Sequence, residues 1–283
     1  MKIVIATCRT DPSLTESDLV FANALQRLGA DVAAAPWNGD FAPFAEGDAT
    51  IIRSTWDYYP YPREFAAWID KVAAQGPLFN APDLLRWSMG KLYLLELASM
   101  GIATPATRRV APDAAAIASA MDALGLDEAI VKPVYGGTAR GLTRVAREAP
   151  ESLARAAVAL DGEDGLTQAF IPEIETMGET SFIFIDGAFS HAVLKRAKAG
   201  DIRIQAEYGG TSQLIEPAQW MAEEAGAILK SCPGAPLYAR IDAVVTARHL
   251  ILMEVELVEP ELFFTYCPLA AARLAGALLS KLK

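Results

Sequence analysis

The sequence is poor in the residues on which most covalent and metal chemistry depends. Three cysteines, Cys8, Cys232 and Cys267, stand far apart in 283 residues. They are too few for a disulfide framework and lack the paired spacing of a zinc site. Small buried thiols of this kind suit a reducing cytoplasm, and a cytoplasmic location is expected. The two histidines, His191 and His249, have no partner spacing for a metal or a catalytic triad. No Gly-x-Ser-x-Gly elbow is present. Charges interrupt every apolar stretch well short of the ~18 residues that a membrane helix needs. The opening Met-Lys-Ile-Val-Ile-Ala-Thr lacks the small-residue cleavage pattern of a signal peptide. Cations are also scarce. Lysine and arginine number 25 against 35 acidic residues, a net charge of −10. That argues against a general nucleic-acid binder, whose footprint is basic, but leaves room for a local basic pocket around an anion. Neither nucleic acid nor membrane is expected as a partner, and a homo-oligomer stays open.

What is present is a large apolar fraction, 52%, enough for a sizeable core. Residues 3–7, 31–35 and 49–53 read as short buried strands. Segments 18–28 and 63–74 read as helices between and after them, the first closed by Gly29. Strands alternating with helices predict a small parallel α/β domain. Its ligands would collect at the carboxyl ends of the strands, where Arg53-Ser54-Thr55-Trp56-Asp57 falls. A compact α+β unit is expected next, with a helix over 88–100 that carries Lys91. From residue 166 the pattern turns to antiparallel-looking strands. The expected domains are 1–87, 88–165 and 166–283.

Four constellations carry chemistry. Ile130-Val131-Lys132-Pro133 ends an apolar strand in a lysine, and Gly136-Gly137-Thr138-Ala139-Arg140-Gly141 follows. A lysine beside backbone N–H groups of a flexible loop can hold phosphates; alone, the pattern also fits a plain hairpin turn. Gln168-Ala169-Phe170-Ile171-Pro172-Glu173 is a Pro-interrupted segment that can offer backbone groups and apolar neighbours to a flat heterocycle, with Glu179 close behind for sugar hydroxyls. Arg240 and Asp242 share one strand face, as do Glu254 and Glu256. A hairpin centred on Arg248 would set Asp242 opposite Glu254 and Arg240 opposite Glu256. Three carboxylates crowded together repel unless a cation joins them, and all-oxygen ligands suit Mg²⁺ or Mn²⁺. A solvated face of alternating charge is the other reading. The fourth constellation is Lys195-Arg196-Ala197-Lys198 with Arg203, a basic run that alone reads as a surface loop and beside a phosphate and a carboxylate substrate would be a clamp.

In this order, along nearly the whole chain, these motifs resemble the ATP-grasp superfamily. The hinge and the Asp201-Ile202-Arg203-Ile204-Gln205 stretch look most like bacterial glutathione synthetases. Arg53-Ser54-Thr55-Trp56-Asp57-Tyr58 and Leu194-Lys195-Arg196-Ala197-Lys198 look closer to the group that includes the cyclo-ligase of D-cycloserine biosynthesis. The resemblance implies an ATP-grasp fold, with an N-terminal parallel α/β domain and two α+β lobes clasping ATP. It implies an ADP-forming ligase that phosphorylates a carboxylate and lets an amine displace the phosphate, with cyclisation within one substrate or simple ATP sensing as alternatives.

The resemblance also assigns roles. Lys91 and Lys132 would meet the phosphates, with Gly136, Gly137 and Thr138 closing over them. Gln168, Phe170 and Ile171 would hold adenine, and Glu179 the ribose. Asp242, Glu254 and Glu256 would bind two Mg²⁺. Arg240, Arg203 and Lys195 would stabilise the transferred phosphoryl group and the reacting carboxylate. Two features depart from the family pattern: Glu254-Val255-Glu256 stands where Glu-x-Asn is usual, and Gly90 precedes Lys91. For the acceptor, an arginine fork suits a carboxylate and an aspartate an ammonium. Arg53, Ser54, Thr55 and Asp57, opposed by Lys195, Arg196 and Arg203, are therefore expected to hold an amino-acid-like substrate; the other reading is that Trp56 and Tyr58 anchor the loop by packing, with Arg53 and Asp57 paired to each other as structural support.

Overall fold

A computed structural model of the chain describes residues 1–137, 139–198 and 209–283. The N-terminal domain contains β1 (Lys2–Thr7), α1 (Glu16–Arg27), β2 (Asp31–Pro36), α2 (Ala42–Glu46), β3 (Ala49–Ile52), α3 (Pro62–Ala73) and β4 (Leu78–Phe79). Its four strands pair in parallel in the order β2-β1-β3-β4. Local sequence explains the helix ends. The Thr15 side chain caps α1 by accepting the Asp18 N–H, and Gly29 ends it at φ +86°. One face of the sheet buries Phe65, Trp68 and Ile69 of α3. The other joins Phe21 and Leu25 of α1 to the last helix of the chain.

The middle of the chain contains α4 (Pro82–Met89), α5 (Tyr93–Ser99), β5 (Thr107–Val110), α6 (Ala114–Leu124), β6 (Glu128–Pro133), β7 (Thr143–Ala146), α7 (Pro150–Ala159) and β8 (Gly165–Ala169). Its sheet runs β5-β8-β6-β7, with α6 and α7 packed on one face. Two expectations change here. The helix expected over 88–100 is two helices. Gly90 is extended at φ −116°, ψ 136°, and the Lys91 N–H donates to the Val134 carbonyl at 2.9 Å. Lys91 therefore sits in the break, tied to the loop that leaves β6. The expected boundary at 165/166 falls inside β8, which pairs with β5 and β6.

The last lobe contains α8 (Glu173–Met177), β9 (Glu179–Ile185), β10 (Ala188–Arg196), β11 (Thr211–Ile215), α9 (Gln219–Lys230), β12 (Tyr238–Val245), β13 (Leu250–Glu256) and α10 (Pro268–Ser280). The sheet is antiparallel, in the order β11-β10-β9-β12-β13. Helix α9 covers one face, and α10 returns to pack against α1. The strand expected over 202–207 lies outside the described residues. Among the described residues no helix is long and apolar enough to cross a membrane.

Candidate active site

The two α+β lobes and the loop after β3 enclose a cleft of about 440 Å³. The walls come from strands, from the segments that follow them and from the break between α4 and α5. β6 and its glycine loop supply Lys132, Gly136 and Gly137, and the segment after β8 supplies Gln168, Phe170 and Ile171. Glu179, Lys195, Arg240, Asp242, Glu254 and Glu256 come from the antiparallel sheet, and Lys91 from the helix break. Thr138 and Arg203, both expected at this site, lie outside the described residues.

The β12–β13 register is the one the even spacing predicts: Arg240 opposes Glu256 and Asp242 opposes Glu254. Beyond Asp242 the register slips, so that Ala243 opposes Leu252. Met253 is the extra residue of a bulge, and it also faces the cleft. The expected hairpin centre at Arg248 is displaced accordingly.

The carboxylates are brought together and paired. Arg240 bridges Asp242 at 2.9 Å and Glu256 at 2.5 Å. Lys195 bridges Glu179 at 2.7 Å and Asp242 at 3.0 Å, and Lys91 pairs with Glu254. Burial alone would raise the Asp242 carboxyl, but Arg240 and Lys195 outweigh it and hold Asp242 well below the usual carboxylate range. Burial also acts to raise Glu254, which Lys91 and Lys132 instead lower. Glu256 goes the other way. Burial, with Glu254 and Asp242 nearby, pushes it up to about 8 despite Arg240. Lys132 is buried at 9% exposure with no acidic partner among the described residues. Burial and the neighbouring Lys91 lower it to about 8. An unpaired ammonium beside a glycine loop is a seat for an anion.

Among the described residues no three His, Cys, Asp or Glu side chains are grouped as a ready metal cage. Lysine and arginine instead pair with Asp242, Glu254 and Glu256. The donor set of Asp242, Glu254 and Glu256 still fits a hard divalent ion, being oxygen only.

The glycine loop is held by shape. A Cβ on Gly137 would overlap the Tyr59 ring, and one on Gly136 would lie 2.9 Å from Pro133 Cγ. Gln168 donates to Thr107 Oγ1 at 3.0 Å, and the Arg144 guanidinium stacks 4.0 Å from the Phe170 ring centroid. Arg144 is in turn fixed by Glu128 and Glu175 at 2.8 and 3.0 Å.

The expected substrate group does not form as a cluster in the cleft. Arg53 is 2% exposed, ion-paired to Asp18 at 2.8 Å and donating to the Pro260 carbonyl at 2.8 Å. It clamps α1 to the segment after β13. Ser54 and Thr55 are fully buried beside it. Asp57 accepts from Trp37 Nε1 at 2.5 Å and Asn38 Nδ2 at 2.8 Å, which fixes its own loop. None of these four lines the cleft. Arg196 is exposed, because neighbours on a strand face opposite ways and Lys195 takes the inward position. The residues that do line this end are Trp56, Tyr58, Tyr59, Glu259, Glu261 and Phe263. Part of their signal lay in the sequence, since Trp56, Tyr58 and Tyr59 directly follow Arg53.

Residues 90–260 match the model of the prokaryotic glutathione synthetase ATP-grasp domain. The chain belongs to the ATP-grasp family. Residues 3–80 match a second model, the N-terminal domain of a D-cycloserine synthetase. The cycloserine biosynthesis protein of Streptomyces lavendulae is 28% identical over 276 residues, 92% of each chain. A glutathione synthetase of Prochlorococcus marinus is 31% identical over 141 residues, 49% of this chain and 44% of its own. The crystal structure of a D-cycloserine synthetase superposes with a TM-score of 0.88 at 26% identity, each chain fully covered. A D-alanine–D-alanine ligase from Bacillus anthracis shares the fold alone, with a TM-score of 0.72 at 15% identity over all of this chain and 97% of its own. This ATP-grasp chain is thus a ligase that joins a carboxylate to an amine at the expense of ATP, and the family works with divalent metal ions.

Proposed function

We propose that this ligase acts on an amino-acid-like substrate through an acylphosphate, and that it closes a ring within that one substrate. The observation that carries the cyclising reading is that the N-terminal domain resembles that of a D-cycloserine synthetase, as does the rest of the chain. Joining two separate molecules is the second reading, favoured by the glutathione synthetase match over 90–260.

Lys132 and Lys91 would take the phosphates of ATP, under the loop carrying Gly136 and Gly137. Gln168 to Ile171 would receive adenine, with Phe170 held in place by Arg144, and Glu179 would accept from the ribose. Asp242, Glu254 and Glu256 would hold Mg²⁺, two ions on the strength of three carboxylates. Held there, the metal would supply positive charge to offset the negative charge of the phosphates. The substrate carboxylate oxygen attacks the γ-phosphorus and ADP departs with the bridging oxygen. The amine nitrogen then attacks the acyl carbon, loses its proton, and inorganic phosphate leaves. No nucleophilic side chain is needed; Arg240 and Lys195 supply positive charge where negative charge develops.

The test is an ADP-release screen over amino acids and dipeptides with Mg²⁺, followed by mass analysis of the product. One substrate less one water supports cyclisation. Two joined substrates support the second reading. ADP release from neither class would overturn both.

A further inference from the structure

The charged lining of the cleft is uneven. Glu179, Asp242, Glu254 and Glu256 each have a lysine or arginine partner. One oxygen of Glu261, Oε1, accepts from the Ser17 hydroxyl at 2.6 Å and the Phe263 N–H at 2.5 Å. Glu259, which like Glu261 has no cation partner among the described residues, is the more deeply buried of the two. It is 8% exposed. The Tyr59 hydroxyl donates to its Oε1 at 2.5 Å, and Trp56 Nε1 donates to its backbone carbonyl at 3.3 Å. One carboxylate oxygen is therefore fixed, and the main chain behind it is fixed as well.

The surroundings narrow what this carboxylate can receive. Trp56, Tyr58, Tyr59 and Phe263 line the same end of the cleft. A carboxylate among aromatic faces, without a cation of its own, favours a compact organic cation: the anion meets its charge and the rings attract it electrostatically. A phosphate would be repelled by this carboxylate, and Lys132 offers it a better seat.

We propose that Glu259, oriented by Tyr59, is a specificity-determining residue that binds the ammonium group of the substrate. This rests on the ligase reading above and adds the residue that reads the amino group. Tyr59 is the positioning residue. Because Gly137 packs directly on its ring, the substrate end and the phosphate loop meet at this side chain.

The test uses the full-length chain, with D-alanine as the amine-bearing probe and propionate as its desamino counterpart. Binding is measured by calorimetry with and without Mg²⁺ and a non-hydrolysable ATP analogue. The wild type is expected to bind D-alanine at least tenfold more tightly than propionate. Glu259→Gln should lose that preference while binding the ATP analogue as before. In turnover with any amino acid that releases ADP, Glu259→Gln should raise KM at least tenfold and leave kcat within about threefold. Tyr59→Phe, which keeps the ring and loses the hydroxyl, should weaken D-alanine binding about threefold or more, and it serves if the glutamine variant does not fold. D-alanine bound no better than propionate by the wild type, or a preference that survives in Glu259→Gln, overturns the proposal. Failure of the wild type to bind the ATP analogue strikes the ligase reading instead and is read from a separate isotherm.

Discussion

Arg240 and Asp242 project from the same face of β12, and the guanidinium holds the carboxylate through three hydrogen bonds of 3.0, 3.1 and 2.9 Å. The same arginine reaches across to Glu256 on β13. Arginine and lysine therefore offset much of the negative charge of this buried acidic patch.

The first prediction follows from that offset of charge. Arg240→Ala leaves Asp242 and Glu256 buried without their common partner. Breaking a buried pair in this way costs about 3–5 kcal/mol. Urea unfolding in the absence of metal should show that loss. Millimolar Mg²⁺ should restore part of it, more in the variant than in the wild type, because the freed carboxylates now have room for the ion. Equal Mg²⁺ effects on the two proteins would mean these carboxylates are not metal ligands.

Lys132 gives a prediction with a pH signature. Its ammonium is lowered from about 10.5 to about 8, because burial opposes the charge and Lys91 repels it. A lysine lowered on folding is a cost at low pH, where the folded protein must carry the buried charge. Between pH 8 and 10.5 the unfolded chain binds more protons, so stability should rise with pH. Compared with Lys132→Met, the wild type should gain up to about 3 kcal/mol across that window. Denaturant melts of both proteins at pH 7.5 and 10.5 measure it. At neutral pH the methionine variant should be at least as stable as the wild type, yet its ATP turnover should fall by about two orders of magnitude or more. Unchanged turnover would assign the phosphates to another cation.

Gly137 and Tyr59 should behave as one unit. Gly137→Ala sets a methyl group into the Tyr59 ring, so the loop or the tyrosine must shift. A drop in kcat/KM of at least tenfold is expected, with little change in stability because the loop is at the surface of the cleft. Tyr59→Ala should remove the clash. The double variant should then be no worse than Tyr59→Ala alone, and a double-mutant cycle reads that coupling. Additive losses would show that the glycine matters for some other reason.

Much of this site was readable from strand parity. The even separation of Asp242 and Glu254 placed Arg240 against Glu256 as observed, because side chains on a strand alternate strictly. The same rule separates Lys195 from Arg196, yet the basic run reads as a single clamp when only its charge is considered. The bulge at Met253 left no trace in the pattern, since an extra residue in an apolar strand changes neither composition nor alternation. The helix break at Lys91 had a signal in Gly90, but the decisive partner, the Val134 carbonyl, is distant in sequence. Glu259 was hidden for a similar reason. Its meaning depends on Trp56 and Tyr59 from another domain, and no local pattern brings those elements together.

Arg53 shows the limit of reasoning from strand ends, and it supplies the last prediction. It leaves β3 at the edge where parallel sheets gather ligands, and an arginine there invites a substrate carboxylate. The structure turns it inward. Its Nε donates to Asp18 at 2.8 Å, its Nη2 donates to the Pro260 carbonyl, and its guanidinium lies over the Tyr238 and Phe264 rings at 5.6 and 5.8 Å. Burial acts to lower its pKa, but Asp18, with Tyr238 and Glu261, outweighs it and keeps the guanidinium charged. Arg53→Ala therefore strands Asp18, itself 2% exposed, as an unpaired buried carboxylate. A loss of about 3–5 kcal/mol is expected. Removing the stranded charge as well, in Arg53→Met with Asp18→Leu, should recover a large part of it, because the cost lies in the uncompensated ion. Both variants, assayed below their melting range, should keep the wild-type KM for ATP and for the amino-acid substrate. A rise in the substrate KM alone, with stability intact, would return Arg53 to the binding site and show that the ion pair with Asp18 opens when substrate arrives.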